Sequence, residues 1–271
     1  AGTLTVDGGT DFDRVNFLRG TESVLADNAV AESSVDIDAE RVSFDIGSSL
    51  TVGTSLANMG SVDITASDPD GDGAGENYAG IDLFAASVAV TGDGSANLSG
   101  TGGNAGHGNH GLVLRTGASV SVENGGVSLQ GTVREGGAGG YSSGVALVGS
   151  TVTQTGASAS GVIDIDGTGG GSGPLNSGVT LDYASTVTAA GDGSVDIDGS
   201  GSAEGTGYGV RLHRVSEVSS EGGALEITGT GGANGGGNIG LAAELGSKVS
   251  TATGDITLEG SGAGTGSGTY N

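Results

Sequence analysis

The chain has 271 residues, including 60 glycines and no cysteine, and its 32 acidic residues outnumber its 8 basic residues to give a formal net charge of −24. This charge argues against nucleic acid or an anionic membrane surface as a partner. No segment approaches the length of about 18 apolar residues that indicates a membrane-spanning helix, and disulfide bonds are excluded.

The first 59 residues follow a coil pattern only loosely. A strand-like segment occupies Thr3 to Val6, and a later coil places the apolar residues Val35, Val42 and Leu50 at spacings of 7 and 8 residues. Three short strands at these spacings give a basic coil of roughly 22 residues, because each apolar residue marks one buried strand face. We interpret residues 1–59 as divergent coils of the same architecture as the rest of the chain.

From Gly60 onward the sequence repeats with a longer period. Segments such as GSVDIDG, which begins at Gly193, recur with apolar first residues at Val62, Ala96, Val127, Ile163, Val195, Leu225 and Ile256, which are 34, 31, 36, 32, 30 and 31 residues apart. A second strand is predicted at Ile81, Leu112, Val145, Val179, Val210 and Leu241, and a third at Val88, Val120, Val152, Val187, Val218 and Val249. A repeat of this length is typical of a solenoid.

The extra residues of each repeat lie in one place, between its first and second strands. We therefore expect Gly-rich loops, aligned along one face, after the first strand of most coils. The pattern predicts an all-β fold, a right-handed parallel β-helix of about eight three-strand coils, since crossovers between parallel strands are right-handed by strong preference. Residues 1–271 are predicted to form one domain, in which residues 60–271 are the regular part.

One insertion resembles a calcium-binding loop. Asp68, Asp70, Asp72 and Glu76 occupy positions 1, 3, 5 and 9 of an EF-hand-like sequence, but position 12 is Ala79 rather than glutamate. These four residues are the candidate metal ligands and Ca²⁺ is the candidate cofactor. The alternative is a solvated acidic insertion in an acidic protein.

The first strands also predict stacked carboxylates. Asp164 and Asp166 should lie beside Asp196 and Asp198 in the next coil, and paired carboxylates about 5 Å apart suit retaining glycoside hydrolysis. Polysaccharide-cleaving sites also need a basic residue or calcium, and aromatic platforms. These rows contain no basic residue, the chain has no tryptophan, and aromatic residues make up 3%. The favoured interpretation is therefore a solvated acidic ladder, with no catalytic residues.

Histidine and tyrosine residues in the loops give weaker signals. His107 and His110 have the spacing of a partial metal site, but no third ligand is apparent and loop histidines without function are favoured. Tyr78, Tyr141 and Tyr208 could offer ring faces to glycans, although packing within the loops explains them as well.

The segment ITGTGGANGGGNIGLAAELGSKVSTATGDITLEGSGAG, from Ile227 to Gly264, resembles filamentous-haemagglutinin-like giant surface proteins of bacteria. The resemblance covers Gly60 to Asn271 well and the first 59 residues loosely. It implies stacked right-handed β-helical coils in an adhesin or secreted exoprotein. It carries over no catalytic motif.

These observations predict a non-catalytic structural segment of an extracellular bacterial adhesin or surface fibre. Neither end of the sequence contains an evident cap, so we expect further coils of a longer chain or head-to-tail self-association there. Glycans or cell-surface receptors are the other expected partners. One alternative is a polysaccharide-binding or polysaccharide-degrading β-helix protein, and another is a self-polymerising filament of a biofilm matrix.

Overall fold

The computed structural model describes residues 3–7, 14–20, 22–25, 34–53, 60–67, 77–234 and 236–263. These residues form strands and turns and no helix, so none of them belongs to a helix that could span a membrane. The candidate calcium ligands Asp68, Asp70, Asp72 and Glu76 lie outside the described residues. Calcium binding at that insertion stays a prediction.

The strands form three parallel sheets that run the length of the described structure. The first sheet contains β1 (Thr3–Asp7), β4 (Ser34–Ala39), β7 (Ser61–Ala66), β10 (Ser95–Gly102), β13 (Val127–Val133), β16 (Val162–Thr168), β19 (Ser194–Ser200), β22 (Leu225–Thr230) and β25 (Ile256–Ser261). The second contains β2 (Arg14–Phe17), β5 (Arg41–Phe44), β8 (Ala79–Phe84), β11 (His110–Arg115), β14 (Ser143–Val148), β17 (Ser177–Asp182), β20 (Tyr208–Leu212) and β23 (Ile239–Ala243). The third contains β3 (Glu22–Leu25), β6 (Ser49–Val52), β9 (Ser87–Val90), β12 (Ser119–Val122), β15 (Thr151–Gln154), β18 (Thr186–Ala189), β21 (Glu217–Ser220) and β24 (Lys248–Thr251).

The predicted parallel β-solenoid is confirmed, with three strands in each coil. Each strand pairs with the strand three positions away along the chain, so every coil contributes one strand to each sheet. The three predicted rows of apolar residues fall on the first, second and third sheets, as Val62, Ile81 and Val88 illustrate. The short coil predicted from the spacing of Val35, Val42 and Leu50 is also confirmed. It has no inserted loop, because only Glu40 separates β4 from β5.

The core is a narrow column of aliphatic side chains enclosed by the three sheets. Along strands such as β19 and β20 alternate residues point inward, and Val195, Ile197, Val210 and Leu212 are at most 1% exposed. Phe17 and Phe44 extend the column, with their rings stacked at 4.1 Å between centroids. Inward and outward residues alternate because successive side chains of a strand point to opposite faces.

Two rows of glycine allow the first and second sheets to approach closely. One row lies near the ends of first-sheet strands and includes Gly131 and Gly167; the other lies near the starts of second-sheet strands and includes Gly144 and Gly178. A Cβ atom on Gly131 would collide with the carbonyl oxygen of Gly144. Glycine is required at these positions by the backbone-to-backbone contact.

The loops between the first and second strands stack on one another, coil upon coil. The backbone N–H of Gly173 donates to the carbonyl of Gly139 at 3.1 Å, a contact between successive loops. The buried Asn176 links the same loops, because its Oδ1 accepts from the N–H of Ser142 at 3.2 Å and its Nδ2 donates to the carbonyls of Gly139 and Gly171 at 2.9 Å. The predicted alignment of loops on a single face is thus present where the loops are described.

Candidate functional site

The outer faces of the three sheets carry different chemistry. The first sheet exposes carboxylates and polar amides, as in the row of Asp63, Asn97, Ser128, Asp164, Asp196 and Glu226. The third sheet exposes mainly Ser and Thr hydroxyls, as in the row of Ser49, Ser87, Ser119, Thr151 and Thr186. The second sheet exposes arginine, aromatic and acidic side chains together. It is therefore the face with the most diverse set of binding groups.

The predicted acidic ladder of the first sheet is confirmed. Asp164 lies directly opposite Asp196, and Asp166 lies directly opposite Asp198. Partial burial, followed by the charges of neighbouring carboxylates, raises the pKa of Asp164, Asp166 and Asp196 above the ordinary aspartate value. A hydrogen bond from the side chain of Ser128 to Asp164 lowers the pKa of Asp164 and offsets part of this rise.

The chemistry available to this ladder is limited by its neighbours. Within the described strands, the two outward rows that contain these aspartates include no Lys, Arg or His. No group of three or more His, Asp or Glu side chains in the described residues is placed to hold a metal ion. The ladder presents negative charge to solvent cations, which agrees with the solvated interpretation of these aspartates.

Three titratable side chains of successive coils meet on the second sheet. The Nδ1 atom of His213 lies 3.2 Å from Oδ1 of Asp182, and its Nε2 lies 4.0 Å from Oε2 of Glu244. Asp182 and His213 are mostly buried, with side-chain exposures of 15% and 12%. The carboxylates therefore hold the imidazole from both sides in a row that crosses three coils.

Two arginines complete this charged row. The Nε atom of Arg214 lies 3.0 Å from Oδ1 of Asp182, and Arg211 donates two hydrogen bonds to Oε2 of Glu244, at 3.0 Å from Nε and 2.9 Å from Nη2. Each carboxylate thus has a guanidinium partner as well as the histidine. This network uses the charges among its own members, which favours a role in tying coils together.

Arginine and aromatic side chains pair repeatedly on and beside the second sheet. The guanidinium carbon lies 5.3 Å from the ring centroid for Arg41 over Tyr78, 4.6 Å for Arg115 over Phe84, 4.7 Å for Arg211 over Tyr208 and 3.8 Å for Arg214 over Tyr183. These distances are within the range of cation–π attraction, about 6 Å. Such pairs hold the guanidinium planes in fixed orientations on the surface of the solenoid.

His107 lies in a loop as predicted, whereas His110 is the first residue of strand β11, and both histidines have structural partners. Nδ1 of His107 accepts a hydrogen bond from the N–H of Gly140 at 3.0 Å, and Nδ1 of His110 accepts one from the N–H of Ser143 at 3.1 Å. Burial lowers the pKa of His110 to about 4, so this imidazole is neutral at pH 7. Both rings use one nitrogen to join successive coils.

The tyrosines considered for glycan contact have different environments. Tyr78 is 5% exposed and its hydroxyl donates to the carbonyl of Glu40 at 3.0 Å. Tyr208 lies under Arg211, whereas Tyr141 is 60% exposed in its loop. Tyr141 alone of these three presents a largely open ring.

Sequence analysis overlooked the charged row of the second sheet, although its signal was present. Asp182, His213 and Glu244 are separated by 31 residues each (213 − 182 and 244 − 213), which is the period of the repeat in this region. Leu181 and Leu212 pair on adjacent coils, and the residues that follow them are Asp182 and His213. The predicted second strands, continued by one residue, therefore place these two side chains next to each other.

No protein-family model, no curated protein and no solved structure matches this chain.

Proposed function

We propose that the chain is a non-catalytic structural segment of an extracellular bacterial adhesin or surface fibre, in which the solenoid acts as a stiff stalk. The observation that carries this proposal is the unbroken ladder of the three sheets from β1 to β25. Inter-coil hydrogen bonds run along the solenoid axis in every sheet, so bending the solenoid would strain three ladders at once. A location on the bacterial surface belongs to the same proposal.

The energetics of the solenoid also suit a stalk. Each coil buries the apolar side chains of its strands against the coils beside it, so stability is approximately the sum of the coils' own terms and their nearest-neighbour interfaces. Such an architecture can be lengthened by adding coils without a new core. The strong negative charge disfavours lateral association between neighbouring stalks.

Small-angle X-ray scattering of the purified chain, combined with a polysaccharide-cleavage assay, tests this proposal. Eight coils with a rise of about 4.8 Å predict a folded particle whose stack of coils is about 40 Å long. We expect the same scattering with millimolar calcium and with a chelator. Growth into long filaments with increasing protein concentration would instead favour the self-polymerising filament. A profile of an expanded, disordered chain, or release of new reducing ends from a polysaccharide, would contradict the stalk.

A second candidate is a polysaccharide-binding protein, which the arginine and aromatic pairs of the second sheet favour. Aromatic faces and guanidinium groups are the side chains that contact sugar rings and their acidic substituents. The exposed ring of Tyr183 and the guanidinium groups of Arg115 and Arg214 lie on one side of the solenoid and form a surface that an extended chain could follow. Stalk and binding functions are compatible, since the two use different parts of each coil.

A further inference from the structure

A groove of about 460 Å³ opens on the outer face of the second sheet, where β2, β5, β8 and β11 lie side by side. Arg14 and Arg41 line one part of it, Phe84 and Arg115 line another, and Ser43 and Asp82 contribute polar groups from the strands between them. The volume is in the range of small-ligand sites. Three of the 8 basic residues of the chain meet here, in a protein with a net charge of −24.

Arg115 and the two carboxylates of the groove already have partners. Arg115 forms a bidentate pair with Asp82, at 2.9 Å from Nε to Oδ1 and 2.8 Å from Nη2 to Oδ2. The other lining carboxylate, Asp45, accepts a hydrogen bond from the N–H of Ile46 at 2.8 Å. These contacts fix Arg115 and Asp82 as a neutral pair beside the remaining two arginines.

Arg14 and Arg41 lie directly opposite each other on adjacent strands. Like charges in this arrangement destabilise a sheet, and neither guanidinium forms an ion pair with a described carboxylate. Arg14 has one long contact, 3.4 Å from Nη2 to Oγ of Ser43. The Nε atom of Arg41 is buried and has no hydrogen-bond partner in the described structure. Burial first, and then the charge of Arg14, lowers the pKa of Arg41.

We propose that this groove binds an oxyanion group, a carboxylate or a sulfate, of an acidic small ligand, with Arg14 and Arg41 as the charged donors. Guanidinium groups match the planar geometry of such groups and can donate two parallel hydrogen bonds. An oxyanion between the two arginines would replace their mutual repulsion with two attractions. The hydroxyl of Ser43 is in the same groove and supplies a neutral donor.

This inference does not depend on the stalk, and it gives a ligand chemistry to the polysaccharide-binding candidate. Uronic acids and sulfated sugars both contain the required group, so the probes must separate them. Galacturonate is the probe for a carboxylate on a sugar ring, and inorganic sulfate is the probe for a sulfate group without a sugar. Galactose is the uncharged sugar control.

Nuclear magnetic resonance titration of the whole chain tests the proposal, with the arginine Nε–H signals as the direct readout. We expect galacturonate, sulfate or both to shift the Nε–H signals of Arg14 and Arg41, while galactose shifts neither. A charge-assisted hydrogen bond contributes about 1.5–3 kcal/mol, so Arg41→Gln and Arg14→Gln should each weaken binding by about tenfold or more. A response to galacturonate alone identifies a carboxylate site, and a response to sulfate alone identifies a sulfate site.

Lys248→Gln is the control, since Lys248 lies on the third sheet, away from the groove, and is paired with Glu217. It should bind the probes as tightly as the unaltered chain. Arg14 is exposed, so Arg14→Gln keeps the test valid if Arg41→Gln fails to fold. The proposal is overturned if neither oxyanion shifts these signals at millimolar concentration, if galactose shifts them equally, or if both arginine variants bind with unchanged affinity. X-ray scattering by the folded solenoid would be the same in each of these three outcomes. Failure of the oxyanion proposal would therefore not contradict the proposed stalk.

Discussion

Asp164 illustrates how a single outward residue acquires its properties from the next coil. Its position opposite Asp196 places two carboxylates about one strand spacing apart, at 4.7–4.9 Å between backbones. Both side chains are partly exposed, so solvent screens much of their repulsion. Partial burial first, and then the charge of Asp198 on the next coil, raises the pKa of Asp164, so its charged form is less favourable here than in the unfolded chain.

We expect Asp164→Asn to stabilise the folded chain at pH 7 by roughly 0.2–1 kcal/mol, the usual range for a cross-strand pair. Because the folded pKa of Asp164 is above the unfolded value, the folded chain holds this proton more tightly. The charged side chain of Asp164 therefore lowers the free energy of unfolding in full above the raised folded pKa. This destabilisation is absent below the unfolded pKa, near 3.9. The advantage of the variant should fall as pH is lowered through this window.

Chemical denaturation at several pH values measures this difference. Glu259→Gln is the control, since Glu259 lies at the end of the same sheet opposite Thr228 and not opposite a carboxylate. Equal stability of Asp164→Asn and the unaltered chain from pH 7 down to pH 3 would show that the ladder carries no repulsive cost.

At the scale of the strand, the paired glycine rows decide how the first and second sheets meet. Gly131 and Gly144 face each other across this junction, and neither has a positive φ angle. The constraint is thus the space between two backbones. The same arrangement recurs at Gly167 with Gly178 and at Gly199 with Gly209, which is why glycine returns at these positions in each coil.

We expect Gly131→Ala to destabilise the chain by about 1–3 kcal/mol, the usual cost of overpacking. Gly260→Ala is the matched control from the same row, because the nearest atom to its added Cβ would be the backbone nitrogen of Leu241 at 3.1 Å. Thermal unfolding followed by circular dichroism compares the two variants. A loss at Gly260 equal to that at Gly131 would mean that the close approach of the Gly144 carbonyl does not account for the effect.

For the whole molecule, the stability of the solenoid depends on where the charges lie as well as on the net charge. Arg14, Arg41, Arg115 and Arg211 all lie in strands of the second sheet, whereas the first sheet carries the aspartate rows. The aspartate rows therefore add repulsion between successive coils along the first sheet. The arginines of the second sheet are compensated locally, except for Arg14 and Arg41.

Moderate salt is consequently expected to stabilise the solenoid. The screening length falls from about 30 Å at 0.01 M to about 10 Å at 0.1 M ionic strength, which weakens repulsion between distant carboxylates. The melting temperature should rise over this range of sodium chloride concentration. Equimolar sucrose at the higher concentration is the uncharged control. A melting temperature that falls with sodium chloride would indicate that attractive ion pairs, such as Arg211 with Glu244, outweigh the repulsion.

The coil architecture was predictable because it depends on patterns that the chain repeats. Val195 and Ile197, followed by Val210 and Leu212, show the period-two alternation that places each pair in the core. The stacking of Asp164 on Asp196 followed from the same register. The candidate calcium loop from Asp68 to Glu76 stays a prediction, since it lies outside the described residues.

The sequence by itself determined the three sheets and the residues that fill the core, since burial of alternate apolar side chains allows one register between successive coils. Only the tertiary structure decided how the arginines of the second sheet group together. Arg14, Arg41 and Arg115 are separated by 27 and 74 residues (41 − 14 and 115 − 41), and loops of unequal length intervene. Their groove exists because coil stacking brings these positions to one face, and contacts on that face depend on side-chain packing that no single repeat contains.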